Sequence, residues 1–368
     1  MTFDERLAAI RANMAARGFD FIVAVHDGAH FIETPNPVTV LSGFKSLAPA
    51  ICVLPRDGEM WLVVTPPWDM ARAEAECPFV SVSGAADIIE VMHAGSWRFR
   101  NRAVGTAGID FAAASIAAPL LDLLPGAVPA DDIVFDAAAA KTDDEIAWAR
   151  EATRIAELNY QHLLEIVRPG MSEDELAVEL RLHSKSLGAE DNFLLLCAGP
   201  HNRAVAPSNG RRLQPGDIIL AEITPSFRGQ LAQICRTVSV GPPSDLLRRK
   251  YDLVVHAMNA GIAAAVPGAR MADVCRAINT PLEAEGYGEY CYPPHIRRRG
   301  HGLGFASNRP GDVALDNDTM LEPGMVFMIH PNQYLPETGY LLCGEPVLMG
   351  ATHAEPLTRQ QAVLAQVG

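Results

Sequence analysis

The chain has 368 residues, 49% of them hydrophobic, which suits two buried cores better than one. Its formal charge of −14 argues against a nucleic-acid or anionic-membrane surface and leaves a small molecule as the expected partner, with Arg297, Arg298 and Arg299 as a local basic run able to meet an anion. Seven cysteines, an odd number without CxxC spacing, read as reduced thiols in a cytoplasmic protein rather than a disulfide framework or zinc ribbon.

The first residues, MTFDERLAAIRANMAARGFDF, form a charged amphipathic helix pattern over Asp4 to Arg17 and lack an apolar signal core. No later run reaches the 18 or so apolar residues of a membrane span. Extended runs follow at Phe21 to Val25, Ala50 to Leu54 and Trp61 to Thr65, the last two flanking an Asp57-Gly58 turn. Strands at Phe79 to Val82 and Ala103 to Gly108, with helices at Ala85 to His93 and Ala112 to Leu124, extend one mixed sheet. Residues 1–136 are thus expected to form an α/β domain.

Residues 137–368 form the second expected domain. Thr142 with Glu145, and Ser172 with Glu175, have capping-box spacing, each before a helical run, with Pro169-Gly170 between the two helices. The same order returns: a helix from Ser244 to Val266, a break at Pro267-Gly268, then a second helix in GARMADVCRAINTPLEAEGYG. The strands repeat too, as LQPGDIILAEI from Leu213 and LEPGMVFMIHP from Leu321. A helix-helix-strand unit present twice implies a pseudo-two-fold axis, with Glu222 and His330 in equivalent places.

The repeat, together with GPHNRAVAPSN, QICRTVSVGPPS, GHGLG and GEPVLMG, resembles the pita-bread fold of methionine aminopeptidase, Xaa-Pro peptidases and creatinase over nearly the whole chain. The N-terminal α/β domain points to the creatinase and prolidase branch. Peptidases of this kind hold two metal ions with two aspartates, a histidine and two glutamates, because paired hard cations need bridging carboxylates. By the resemblance these positions fall on Glu222, Gln233, His301, His330 and Gly344, the last beside Glu345. Only the histidine, His301, is unchanged. A further peptidase histidine maps near Asn308. The creatinase histidine maps near Val205, four residues beyond His201, and a creatinase carboxylate maps to Cys235.

The resemblance therefore implies a metal-independent hydrolase of a C–N bond in a small amide, ureido or guanidino compound, with His301, His330 and Glu222 in acid–base roles and no cofactor. A Glu222–His330 pair would raise the histidine pKa and keep the glutamate ionised. Gln233, Arg236, Glu345, Asn332, Tyr340 and His201 are candidate substrate contacts, with a structural salt bridge weighed against this for Arg236. Cys235 is a candidate nucleophile against the alternative of an inert buried thiol. Two alternatives stay open: an Xaa-Pro dipeptidase-like enzyme with one divalent ion on Glu222, His301 and His330, and a binding protein without catalysis. The resemblance also implies a homodimer in which the LSGFKS segment presents Phe44 and Lys45 to the partner's site.

Overall fold

The structure is a computed structural model that describes residues 1–305 and 309–368. The described residues divide into two compact units, Met1–Thr142 with Phe305, and Asp143–Gly304 with Arg309–Gly368. The division falls after Thr142, not at 136, because the helix Asp131–Ala137 packs Ile133, Val134 and Phe135 into the first unit's core.

The first unit is one six-stranded sheet in the spatial order 80–84, 60–64, 50–55, 21–26, 104–107, 128–129. It is mixed: the strand Phe21–His26 runs antiparallel to Ala50–Pro55 and parallel to Val104–Ala107. Ile22 and Ala24 enter the core that includes Leu7, Ile10 and Met14 of the first helix, whereas Val23 and Val25 enter the opposite core with Ile88, Met92 and Leu120. A strand covered on both faces reads as an unbroken apolar run, as FIVAV does. The helix Phe3–Arg17 starts at a Thr2–Glu5 capping box that the sequence reading did not anticipate.

The second unit holds two long helix pairs, Asp143–Ile166 with Glu173–Ser186, and Asp245–Ala264 with Met271–Ala284. Ser172 and Glu175 form the expected reciprocal cap. One sheet orders strands 365–367, 234–240, 218–227 and 191–199; the other orders 300–302, 326–329, 345–349 and 354–356. The turns of the two copies carry the same backbone hydrogen bonds. Gly170 N donates to Leu213 O at 2.8 Å and Gly268 N to Leu321 O at 2.8 Å; Gly216 N donates to Val240 O at 2.7 Å and Gly324 N to Met349 O at 2.8 Å. All four glycines have φ between 86° and 92°, the left-handed region that favours glycine, which is why each Pro-Gly turn recurs. Glu222 lies six residues beyond Gly216 and His330 six beyond Gly324, so their equivalence holds.

Among the described residues no helix is long and apolar enough to cross a membrane. Phe44 is fully buried in the first unit's core with the Arg72 guanidinium over its ring at 4.2 Å, so it does not present itself to a substrate as the resemblance implied.

His26 is 3% exposed, and its Nδ1 accepts from Gly28 N at 3.1 Å. Burial, then the neighbouring His30, lowers its pKa to about 4. The unfolded chain takes up this proton near the ordinary value of about 6.5, so stability falls as pH drops from about 6.5 to about 4 and levels off below. His26→Asn is expected to remove on the order of 3 kcal/mol of this acid sensitivity, read as a flatter dependence of the urea midpoint on pH; an unchanged acid limb would contradict it.

Candidate active site

The two sheets of the second unit meet through one bridge. Cys235 N donates to Gly344 O at 3.3 Å and Gly344 N to Cys235 O at 3.1 Å. Each residue lies five before its copy's Val240 or Met349, so the bridging residues are symmetry equivalents and the pseudo-two-fold axis passes between them. Arg236 and Glu345, next along each strand, are equivalents too. They form a buried ion pair at 2.8 Å, and Arg236 also donates to the carbonyl oxygens of Cys235 and Gly344.

Alternation along the strands assigns the faces. Ile219, Ala221 and Ile223 pack with Ala156 and Leu163 against the helices, so Glu222 between them points to the opposite face. Ile234 and Val238 likewise face the helices, as does Arg236, whose guanidinium lies 5.6 Å from the Tyr160 ring centre. Arg236 and Glu345 therefore serve the architecture. Burial pushes the Glu345 carboxyl above its ordinary value while Arg236 pulls it down. The direct contact, with Thr358 as a second donor to Glu345, holds the pair ionised.

On the open face, Glu222, Cys235, Gly344 and His330 form one row. Glu222 is opposite Cys235, Cys235 bridges Gly344, and a Cβ on Gly344 would lie 2.7 Å from the Cβ of His330. Glu222 and His330 stand three strands apart along this row, and the charges acting on His330 are those of His301, Arg298 and Arg299. The expected imidazolium is absent. His330 is 8% exposed, and burial, then His301, holds its pKa well below the ordinary value, so it is a neutral imidazole.

The strand Gly300–Gly302 supplies the second imidazole. The His301 and His330 rings are edge-on, with centres 5.3 Å apart. His301 Nδ1 lies 3.0 Å from Gly302 O, which fixes the proton on Nδ1 and makes Nε2 the basic nitrogen. His330 Nδ1 is buried without a hydrogen-bond partner, as is Gln233 Oε1. Buried polar atoms of this kind cost free energy unless something completes them, and both are free to take a hydrogen-bond partner.

Cys235 is fully buried, and burial, then Glu222, raises its pKa well above the ordinary thiol value. Its Sγ lies 3.8 Å from Glu222 Oε2, and the amide of Asn332 lies 3.9 Å from the same sulfur. A thiol so held is protonated at neutral pH and is no nucleophile. Asn332 itself accepts from Cys343 N. Tyr340 is part-buried, its phenol pushed up to about 12 by burial, with Arg299, Cys235 and Glu222 near enough to act on it. His201 is exposed and bonds Pro336 O at 2.9 Å, away from the imidazole pair. Lys45 is half-buried in the first unit. Asn308 lies outside the described residues.

Two contributors carried no clear sequence signal. Asn202 ties the GPHNR loop to Tyr340 by accepting Tyr340 N at 2.7 Å, and its side chain donates to Ile218 O. Arg299 is 1% exposed; its backbone O accepts His330 N, and its guanidinium holds the carbonyls of Pro331 and Asn332. The Arg297 to Arg299 run was the available hint, although a basic triplet points first to a solvated face.

A paired sheet around a pseudo-two-fold axis, backed by two helix pairs and carrying its polar groups on the open face, is the pita-bread scaffold of the creatinase and prolidase class. The profile of metallopeptidase family M24 matches residues 147–352. The chain belongs to that family. An uncharacterized peptidase of Bacillus subtilis, YqhT, is 31% identical over 215 residues, a match spanning 58% of this chain and 60% of that protein. The Xaa-Pro dipeptidase of Pyrococcus furiosus is 25% identical over 344 residues, 91% of this chain and 94% of that one. The solved Xaa-Pro dipeptidase of Bacillus anthracis superposes over both full lengths with a TM-score of 0.86 at 21% identity.

The family implies metal ions, and the donor set here does not fit a pair of them. Gln233 is neutral, Gly344 has no side chain, and Glu345 is committed to Arg236. The space a side chain at 344 would need is filled: a Cβ there would meet Met328 Cε at 2.5 Å. Among the described residues no three His, Cys, Asp or Glu side chains are grouped to hold a metal.

Removing one partner of the axis ion pair leaves a bare charge in the core, at a cost of about 3–5 kcal/mol. Arg236→Met is expected to lower the urea-unfolding free energy by about that amount, with Arg236→Met/Glu345→Met recovering most of it. A loss under about 1 kcal/mol in the single variant, the range of exposed pairs, would contradict the assignment.

Proposed function

We propose that the chain hydrolyses the C–N bond of a dipeptide-sized substrate of the Xaa-Pro class, using its imidazole pair and without a pair of bridging cations. The observation that carries this is the pair itself: two imidazoles edge to edge, His330 neutral and with a buried, unpartnered Nδ1. Family membership and the Xaa-Pro dipeptidases among the relatives support the substrate class. Gln233 and Gly344 at bridging positions support the absence of paired cations.

In this proposal a water held between the rings gives its proton to His301 Nε2 as its oxygen attacks the carbonyl carbon. The same proton passes to the leaving nitrogen as the C–N bond breaks, so one water and one amide become a carboxylic acid and an amine. The Nδ1–H to Gly302 O contact keeps the ring aimed while charge develops. Across the row, the Glu222 carboxylate and the Gln233 amide oxygen suit the N–H groups of a substrate ammonium.

Hydrolysis of Ala-Pro and Gly-Pro by the purified full chain tests this, measured with and without chelator. Turnover is expected to survive chelation, and His301→Gln to lower kcat by roughly 100-fold or more. Turnover that appears only with added manganese or cobalt would transfer the chain to the metal-dependent dipeptidases. No turnover of either dipeptide would overturn the hydrolase reading in favour of a binding role.

A further inference from the structure

The charge balance around Arg299 is unusual for a buried arginine. Arginines are almost never fully buried unless paired. Arg299 is 1% exposed, yet its hydrogen bonds go to neutral groups: Nε to Asn279 Oδ1 at 2.7 Å, and one terminal nitrogen to the carbonyls of Pro331 and Asn332. The other terminal nitrogen is buried and makes no hydrogen bond of ordinary geometry; the Cys291 thiol is its polar neighbour. Burial lowers the guanidinium's pKa, with Cys291, Cys275 and Tyr340 next among its influences. The two cysteines are neutral thiols, their own pKa values raised by burial, and do not balance the charge.

Cys275 and Cys291 also line a cavity of about 300 Å³, together with Arg299 itself, Arg297, Tyr292 and Leu315. That volume is at the small end of ligand-binding cavities. Its walls combine guanidinium groups with apolar surface. Arg298, also on the wall, is already paired to Asp312 at 3.1 Å, and the cavity's carboxylate is Asp316. A buried cation whose partners are all neutral, on the wall of a hollow with apolar surface, is complementary to a small anion with an apolar body.

We propose that this cavity binds a small organic carboxylate, its oxygens taken by the spare Arg299 nitrogen and by Arg297 at the rim, its hydrocarbon part against Tyr292 and Leu315. The site is distinct from the imidazole pair. It is also connected to it, because Arg299 O accepts His330 N and the guanidinium holds the next two carbonyls. Occupancy therefore bears on the segment that carries His330 and Asn332.

The test is binding to the intact chain, which fails or succeeds independently of any hydrolase activity. 4-Methylpentanoate is titrated by calorimetry and by thermal shift at low salt, with 4-methylpentan-1-ol and inorganic phosphate as comparison probes. Saturable binding of the carboxylate, with none of the alcohol, is expected. Arg299→Met should abolish it. Leu315 is 39% exposed, so Leu315→Trp fills the hollow from the rim while leaving the guanidinium's contacts in place, and should weaken binding at least tenfold even if Arg299→Met fails to fold. No saturable binding to the native chain, binding within twofold of native in Leu315→Trp, or equal binding of the alcohol would overturn the proposal. Phosphate binding in place of the carboxylate would overturn the ligand class.

Discussion

The seam at the pseudo-two-fold axis organises the second unit. Two sheets are joined by the reciprocal hydrogen bonds of Cys235 and Gly344 and by the Arg236–Glu345 pair behind them. The ion pair is nearly inaccessible to water, with 2% and 4% of its side chains exposed, so a missing partner cannot be replaced by solvent. Everything on the open face takes its position from this seam. The row Glu222, Cys235, Gly344, His330 runs across the axis, and His301 reaches it because Gly300–Gly302 is the next strand out.

Equivalent positions have acquired unequal chemistry. Acids on both sides of such an axis would surround cations; here one side offers Glu222 and Gln233, the other two imidazoles. Gly344 shows why this is more than the loss of a ligand. His330 and Met328 occupy the space that a side chain at 344 would need, so restoring a carboxylate there means moving the imidazole. The site has repacked around the change.

Much of this was legible in the sequence. The repeat was visible because Pro-Gly turns and leucines recur at fixed offsets, and the glycines prove to need the same left-handed backbone in both copies. The equivalence of Glu222 and His330 followed from that register alone. Their separation along the row did not, because a one-dimensional repeat fixes which residues correspond and says nothing about how many strands stand between them. The charge state of His330 was misjudged for the same reason: an expected carboxylate neighbour is in fact a second histidine, and burial dominates. Arg236 and Glu345 were read as substrate contacts or a salt bridge, and strand parity decides for the salt bridge, since both serve the helix-side seam. Phe44 was misplaced because an exposed-looking LSGFKS motif folds its aromatic ring inward under Arg72.

The account turns on whether two divalent cations can lie on the row between Glu222 and His330. A crystal grown with millimolar manganese and examined by anomalous scattering at the metal edge addresses that directly. The expected map has no pair of manganese peaks among Glu222, Gln233, His301 and His330; two well-occupied peaks a few ångströms apart on that row would contradict the account.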